Sequence, residues 1–251
     1  MVRHDHERFA ELTFDDFRRM ATDDSLSPYE KVGFPDEYRA GLEEVIFDDI
    51  VGKLALDGGS GRLVVDIGPG CSQLPRMLSG LCARLDHRLV LVDSEEMLSQ
   101  LPDERHVTKL AGHYPDVPEL FVGRHGAVDA LLAYSVLHYV FAEGNVWRFL
   151  DRSLELLAPG GSMLLGDIPN VSKRRRFFAS EAGIAHHQRF TGEDRPPAVE
   201  WGAPEPGKID DAVILGLLAR SRAAGFDAYV VTQPEELPMA TRREDILIRR
   251  P

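Results

Sequence analysis

The run Val64-Val65-Asp66-Ile67-Gly68-Pro69-Gly70-Cys71-Ser72 constrains this chain more than any other stretch of it. An apolar strand leads into a turn with two glycines and then into the start of a helix. Glycine lets the backbone turn tightly there and lets a ligand approach the main chain closely. Asp66 places a carboxylate at the mouth of the turn, where it repels phosphate and suits an ammonium or sulfonium group. The run predicts an α/β unit whose first strand ends at a binding site.

Strand and helix signals alternate downstream. Residues 62–67 read as a first strand and 73–85 as a helix. A second strand over 88–92 ends at Asp93, with a short helix over 95–101. A third strand covers 106–110 and a fourth 128–134, followed by a helix from about 143 to 157. Ala158-Pro159-Gly160-Gly161 reads as a tight turn before a fifth strand over 162–168. These strands are almost continuously apolar, as a parallel sheet covered by helices on both faces requires. The pattern stops between about Pro169 and Lys208. Helical spacing returns over 210–224, and strands follow at 228–231 and 246–249. The link over 233–244 carries two prolines and no helix, so the sheet finishes antiparallel. Upstream, Thr13 caps a helix with acids in its first turn. Residues 25–35 form a turn-rich link, and a second helix covers about 37–56. The chain reads as a single domain, 1–251. It divides into an N-terminal helical lid (1–56), a core (57–168), an insert (169–208) and a closing helix with two strands (209–251).

At 251 residues and 43% hydrophobic, the chain is large enough for one α/β domain with a real core. A formal net charge of −12 speaks against a nucleic-acid partner, which needs clustered Lys and Arg. Cys71 and Cys82 are too few for a disulfide framework and are expected to be reduced, hence cytoplasmic. The start MVRHDHERFAEL is charged and lacks a signal-peptide core. No stretch approaches the roughly 20 apolar residues that span a bilayer.

A dinucleotide enzyme places a third glycine where this chain has Gln73, to seat a pyrophosphate on the helix N-terminus. The run over 64–72, Asp93, the segment from Asp129 to Tyr139 and the turn Leu156 to Ser162 together resemble the class I S-adenosylmethionine (SAM) dependent methyltransferases. The resemblance covers about residues 40–251. It implies a doubly wound, mostly parallel seven-stranded sheet in the order 3-2-1-4-5-7-6 with the last strand antiparallel. It also implies SAM as methyl donor, bound over strands 1 to 4, and S-adenosylhomocysteine (SAH) as product. Asp66, Gly68, Pro69, Gly70 and Cys71 would line the donor site. Asp93 would meet the ribose hydroxyls, with Ser94 beside it, unless it caps the following helix. Met97 is adenine contact or core. His113 stands where many relatives carry the acid of a Gly-Asp pair, and with Tyr114 it is either an adenine contact or a surface loop. Tyr134 and Ser135 fall near the methyl group.

For the acceptor side, His138 is either a base for an acceptor hydroxyl or a packing histidine. Asp167 and Asn170 face the acceptor or cap local structure. The basic run Lys173-Arg174-Arg175-Arg176 is a solvated helix face or an anion clamp, with Arg174 its representative. His186 and His187 are possible acceptor contacts, and nothing beside them has metal-ligand spacing. The expected activity is SAM-dependent methylation of a small polar acceptor, with O-methylation of a sugar or cell-surface polysaccharide precursor as the finer reading. The rivals are an NAD(P)-dependent oxidoreductase, an aminopropyl transferase and a SAM-binding partner subunit without catalysis.

Overall fold

The structure is a computed structural model that describes Phe9 and residues 12–251 apart from Pro238. The reading of the charged N-terminal start falls almost wholly outside those residues. The chain opens with α1 (Phe14–Ala21), started by a capping box: the Thr13 N–H donates to Asp16 Oδ2 (2.8 Å) and the Asp16 N–H to Thr13 Oγ1 (3.2 Å). Residues 22–42 run in turns with two short 3-10 segments, so α2 (Glu43–Leu54) begins later than its spacing suggests.

The sheet follows. Its first half runs β1 (Leu63–Ile67), α3 (Gln73–Arg84), β2 (Arg88–Asp93), α4 (Glu95–Ser99), β3 (Val107–Ala111), α5 (Pro118–Phe121) and β4 (Val128–Tyr134). Then come α6 (Leu137–Glu143), α7 (Val146–Leu156), β5 (Leu157–Pro169), α8 (Val171–Phe178), α9 (Glu181–Thr191), α10 (Asp211–Ala223), β6 (Asp227–Val231) and β7 (Arg243–Arg249). The strand order is β3-β2-β1-β4-β5-β7-β6, with β7 antiparallel to both neighbours. Order and antiparallel finish are those expected.

Two cores follow from the alternation of side chains along each strand. Leu63, Val65 and Ile67 point to the face covered by α7 and α10, where Phe149, Leu150 and Leu217 are buried. Val64, Leu89 and Leu91 point to the other face, against Ile46 and Ile50 of α2 and Leu78 of α3. Each such side chain stabilises the fold by about 1.5–3 kcal/mol.

Three local expectations are corrected. The helix over 143–157 is two helices, because Asn145 caps a new start by accepting from the N–H groups of Trp147 (3.1 Å) and Arg148 (3.0 Å). The turn at Ala158–Gly161 lies inside β5, whose pairing with β4 shifts register between Val128 and Ala130. The irregular insert contains α8 and α9, capped by Asn170 and Ser180. No helix among the described residues is long and apolar enough to cross a membrane.

Candidate active site

The sheet's order reverses direction at β1, which has β2 on one side and β4 on the other. In open α/β sheets a crevice forms at the carboxyl ends of strands at such a point. Here it is a cavity of about 260 Å³, roofed by α1 and the turns that lead to α2. Phe17 of the roof meets Tyr139 of α6 edge to face (4.9 Å between centroids), and Phe14 meets His113 likewise (4.7 Å). Arg18 ties α1 to Glu96 on α4 (2.7 Å).

The glycine turn forms the floor. Gly68 and Gly70 have φ of 67° and 65°. A Cβ at Gly68 would lie 2.6 Å from Val136 Cγ2, and one at Gly70 2.5 Å from Val32 Cγ1. Only glycine meets both the backbone and the space requirement. Asp93 fixes the turn from the next strand: its carboxylate accepts from the Gly70 N–H (3.0 Å) and the Ser94 N–H (2.7 Å). One lone pair on each oxygen remains for a ligand hydroxyl. Burial pushes this carboxyl up to about 6 against the two backbone bonds. Asp66 is 4% exposed and lines the cavity, and its carboxylate accepts no hydrogen bond among the described residues. Burial and then the nearby Asp93 charge push it up to about 8.

The opposite wall comes from the end of β4, with the end of β5 behind it. The Tyr134 ring packs against Gly166, where a Cβ would run into its edge. Ser135 and Asp167 both hold left-handed backbone, with φ of 60° and 57°. The Ser135 hydroxyl donates to the Asp167 carboxylate. Arg39 Nη2 donates to Ser135 Oγ (2.6 Å) and Asp167 Oδ2 (3.1 Å), and Arg243 Nη1 donates to Asp167 Oδ2 (2.9 Å). Burial alone would raise the Asp167 carboxyl, but Arg243, Arg39 and the Ser135 hydroxyl outweigh it and hold it below the ordinary carboxylate value. The Arg39 guanidinium also lies 4.0 Å from the centre of the Phe34 ring.

Of the residues named from sequence, Asp66, Gly68, Pro69, Gly70, Asp93, Met97, His113, Tyr114, Tyr134 and Ser135 line the cavity. Cys71 does not: it is buried against Ala21 and Met97 beneath α1. Ser94 turns away to cap α4 through Met97 N–H (3.2 Å). The Tyr114 hydroxyl is used in the core, 2.9 Å from Ser153 Oγ, so only the rest of the residue borders the cavity.

The acceptor-side residues fare worse. His138 is off the cavity wall. Its Nδ1 is enclosed without a hydrogen-bond partner, and burial, with Arg243 next, lowers the imidazole to about 3, which makes it a poor base. Asp167 borders the cavity only through Ser135 and Arg39. Asn170 is a cap: it accepts from Ser172 (2.9 Å) and Lys173 (3.2 Å) and donates to Asp211 (2.8 Å) and Glu244 (3.1 Å). The basic run is a paired helix face and no clamp. Arg174 and Arg175 share Glu205 (both 2.8 Å), Arg176 pairs with Asp211, and Lys173 donates to Arg243 O (2.6 Å). His186 and His187 pack with Phe177 and Phe178 on α8 and α9, away from the cavity.

Residues the sequence reading passed over complete the walls: Ser72, Phe14, Phe17, Val32, Phe34, Arg39, Glu43, Phe47 and Tyr139. Phe14 and Phe17 carried a signal, since they stand one turn apart on the apolar side of a capped helix. Arg39 carried none, because its carboxylate partner is 128 residues away.

No protein-family profile and no curated protein sequence matches this chain. Solved structures do. A SAM-dependent methyltransferase from Aquifex aeolicus is 15% identical, with a TM-score of 0.55 over 90% of this chain and 100% of that one. The plantazolicin methyltransferase BpumL, solved with SAH and a triazolic desmethylPZN analog, is 12% identical, with a TM-score of 0.57 over 98% and 99%. The CurJ carbon methyltransferase is 16% identical, with a TM-score of 0.55 over 94% of this chain and 64% of that one. The chain has the fold of the class I SAM-dependent methyltransferases.

Proposed function

We propose that this protein transfers a methyl group from SAM to a small organic acceptor. One observation carries the reading: an unpartnered, buried Asp66 carboxylate faces the cavity beside a glycine turn that Asp93 holds in place. A cavity built for a phosphate ligand would not carry a bare carboxylate at that point. The same geometry suits a donor with a cationic amino acid end and a ribose. Bound there, SAM would supply an electrophilic methyl group on a sulfonium.

The chain's residues bind and orient. Asp66, which burial keeps protonated up to about pH 8 in the absence of a partner, ionises against a bound cationic group, Asp93 offers its free lone pairs to the ribose hydroxyls, and Met97 and His113 flank the base. Gly68 and Gly70 let the ligand lie against main chain. On the far side, Phe17, Phe34 and Tyr139 favour an acceptor with a flat or apolar body over a bare sugar. Methyl transfer needs two reactants held in line, so catalysis by positioning is sufficient for an acceptor that is already nucleophilic. His138 is not used to remove a proton.

Calorimetric titration with SAH and, separately, with NADH tests the reading. SAH is expected to bind and NADH to give no heat beyond dilution. Binding of NADH without SAH would replace it with the oxidoreductase reading, which Gln73 at the first position of α3 already disfavours.

A further inference from the structure

We propose that the acceptor carries a carboxylate on its flat or apolar body and that Arg39 binds it through the edge of its guanidinium. The inference rests on the methyltransferase reading for calling the ligand an acceptor. Arg39 borders the main cavity and also a small side cavity lined by Phe34, Tyr38, Asp167 and Met239. Its Nη2 is committed to Ser135 Oγ and Asp167 Oδ2. Among the described residues Nε and Nη1 donate to nothing, and neither is sealed in: the enclosed side-chain atoms without a partner are His138 Nδ1 and Arg242 Nε. The Arg39 side chain is only 9% exposed, so a ligand reaches these donors from the cavities. Phe34 and Tyr134 flank the guanidinium, with 4.0 and 5.4 Å from its carbon to the ring centres. Rings, hydroxyl and carboxylate hold the planar fork in place, so it loses little freedom on binding.

The charge of the cluster favours an anion. Arg39 and Arg243 share the one Asp167 carboxylate, so these three side chains carry one net positive charge. Neighbouring carboxylates are engaged. Asp245 accepts from Lys53 (2.7 Å), Gln233 (2.8 Å) and the Asp167 N–H (2.7 Å), and Glu43 accepts from the Tyr29 hydroxyl. A guanidinium N–H left without an acceptor in a mostly buried wall is unfavourable, and a carboxylate answers it with a charge-assisted bond. Ser135 and Asp167 are also two of the four described non-glycine residues with left-handed backbone. Such backbone is costly and persists where the surroundings hold it. Here both side chains meet at Arg39.

Position assigns the carboxylate to the acceptor. Asp66 lies in β1, Asp93 ends β2 and His113 follows β3. Ser135 follows β4 and Asp167 lies in β5. In the order β3-β2-β1-β4-β5 the groups offered to the ribose and base lie on one side of β1, and the partners of Arg39 lie on the other. Phe34 belongs both to the apolar wall and to the seat of the guanidinium, so a flat body on that wall lies beside Arg39. The donor's own carboxylate is the competing occupant, and saturating the donor site separates the two.

The test titrates the SAH-saturated protein with benzoate and with its neutral counterpart benzamide, at constant ionic strength set with chloride. Benzoate is expected to bind roughly 10-fold or more tightly than benzamide, the size of a charged hydrogen bond. In Arg39→Gln the two should bind within about twofold of each other, whereas a merely structural loss weakens both alike and leaves their ratio standing. Failure of benzoate to bind, equal binding of the two probes by the wild type, or an undiminished ratio in Arg39→Gln overturns the proposal. If Arg39→Gln does not fold, Arg39→Lys decides: a ratio lowered by about threefold supports it, and an unchanged ratio overturns it. SAH affinity is measured first for each protein. Weaker SAH binding in Arg39→Gln, with no benzoate preference in the wild type, would give Arg39 to the donor and remove this proposal alone. An Arg39-dependent benzoate preference without any SAH binding would remove the methyltransferase reading and keep the carboxylate site.

Discussion

Asp66→Asn keeps the shape of the side chain and removes its charge, so it isolates the cost of a buried carboxylate in this fold. An unfolded chain ionises near 3.8, whereas the folded protein holds the Asp66 proton to about 8. Between those values the native state binds a proton that the unfolded state has released. Stability falls as pH rises through that window, by about 1.4 kcal/mol per pH unit for one group. From about pH 6 to about pH 7.5 the loss is about 2 kcal/mol. Asp93, raised to about 6, adds to the slope only at the acid end. The advantage of Asp66→Asn over the wild type should therefore grow by about 2 kcal/mol across this range. Urea unfolding followed by tryptophan fluorescence at several pH values reads that difference. A constant offset between the two proteins would refute the burial argument. At about pH 7.5 the same variant should bind SAH roughly 10-fold more weakly, because a charge-assisted contact to the amino group is gone.

Gly70→Ala should lower stability by about 1–3 kcal/mol, since it combines left-handed backbone with a collision against Val32, and thermal unfolding would show it. Thr13→Ala removes the capping box of α1 and should cost about 1 kcal/mol, with faster amide exchange confined to residues 14–21. The His138 imidazole should stay neutral down to about pH 4 in an NMR titration, because burial and Arg243 hold it near 3. Its contribution to stability is lost as pH falls below 6.5, and a midpoint near 6.5 would contradict the enclosed geometry.

What the sequence shows and hides follows from the range of each interaction. The glycine turn and Asp93 are local features at strand ends, and both lie where they were expected. The antiparallel finish was legible because residues 233–244 leave no room for a crossover helix. The helices of the insert were missed although Asn170 and Ser180 are ordinary N-caps, since α8 and α9 bury little and show no apolar period. Cys71 and Ser94 adjoin site residues in sequence but not in the fold. One residue's step along the chain turned each from the cavity into packing or a cap. Arg39, Asp167 and Arg243 meet only through the fold, and no spacing announces such a cluster.

Asp93 has a consequence for the timing of recognition. By accepting from Gly70 and Ser94 together, it fastens the loops after β1 and β2 to each other through protein groups alone. A glycine turn of this kind is the most conformationally free part of an unfolded chain. Here its freedom is surrendered when the domain folds, so little is left to lose when a ligand arrives. A ligand entering the cavity therefore meets a preformed mould, and the Gly70 amide is expected to resist solvent exchange.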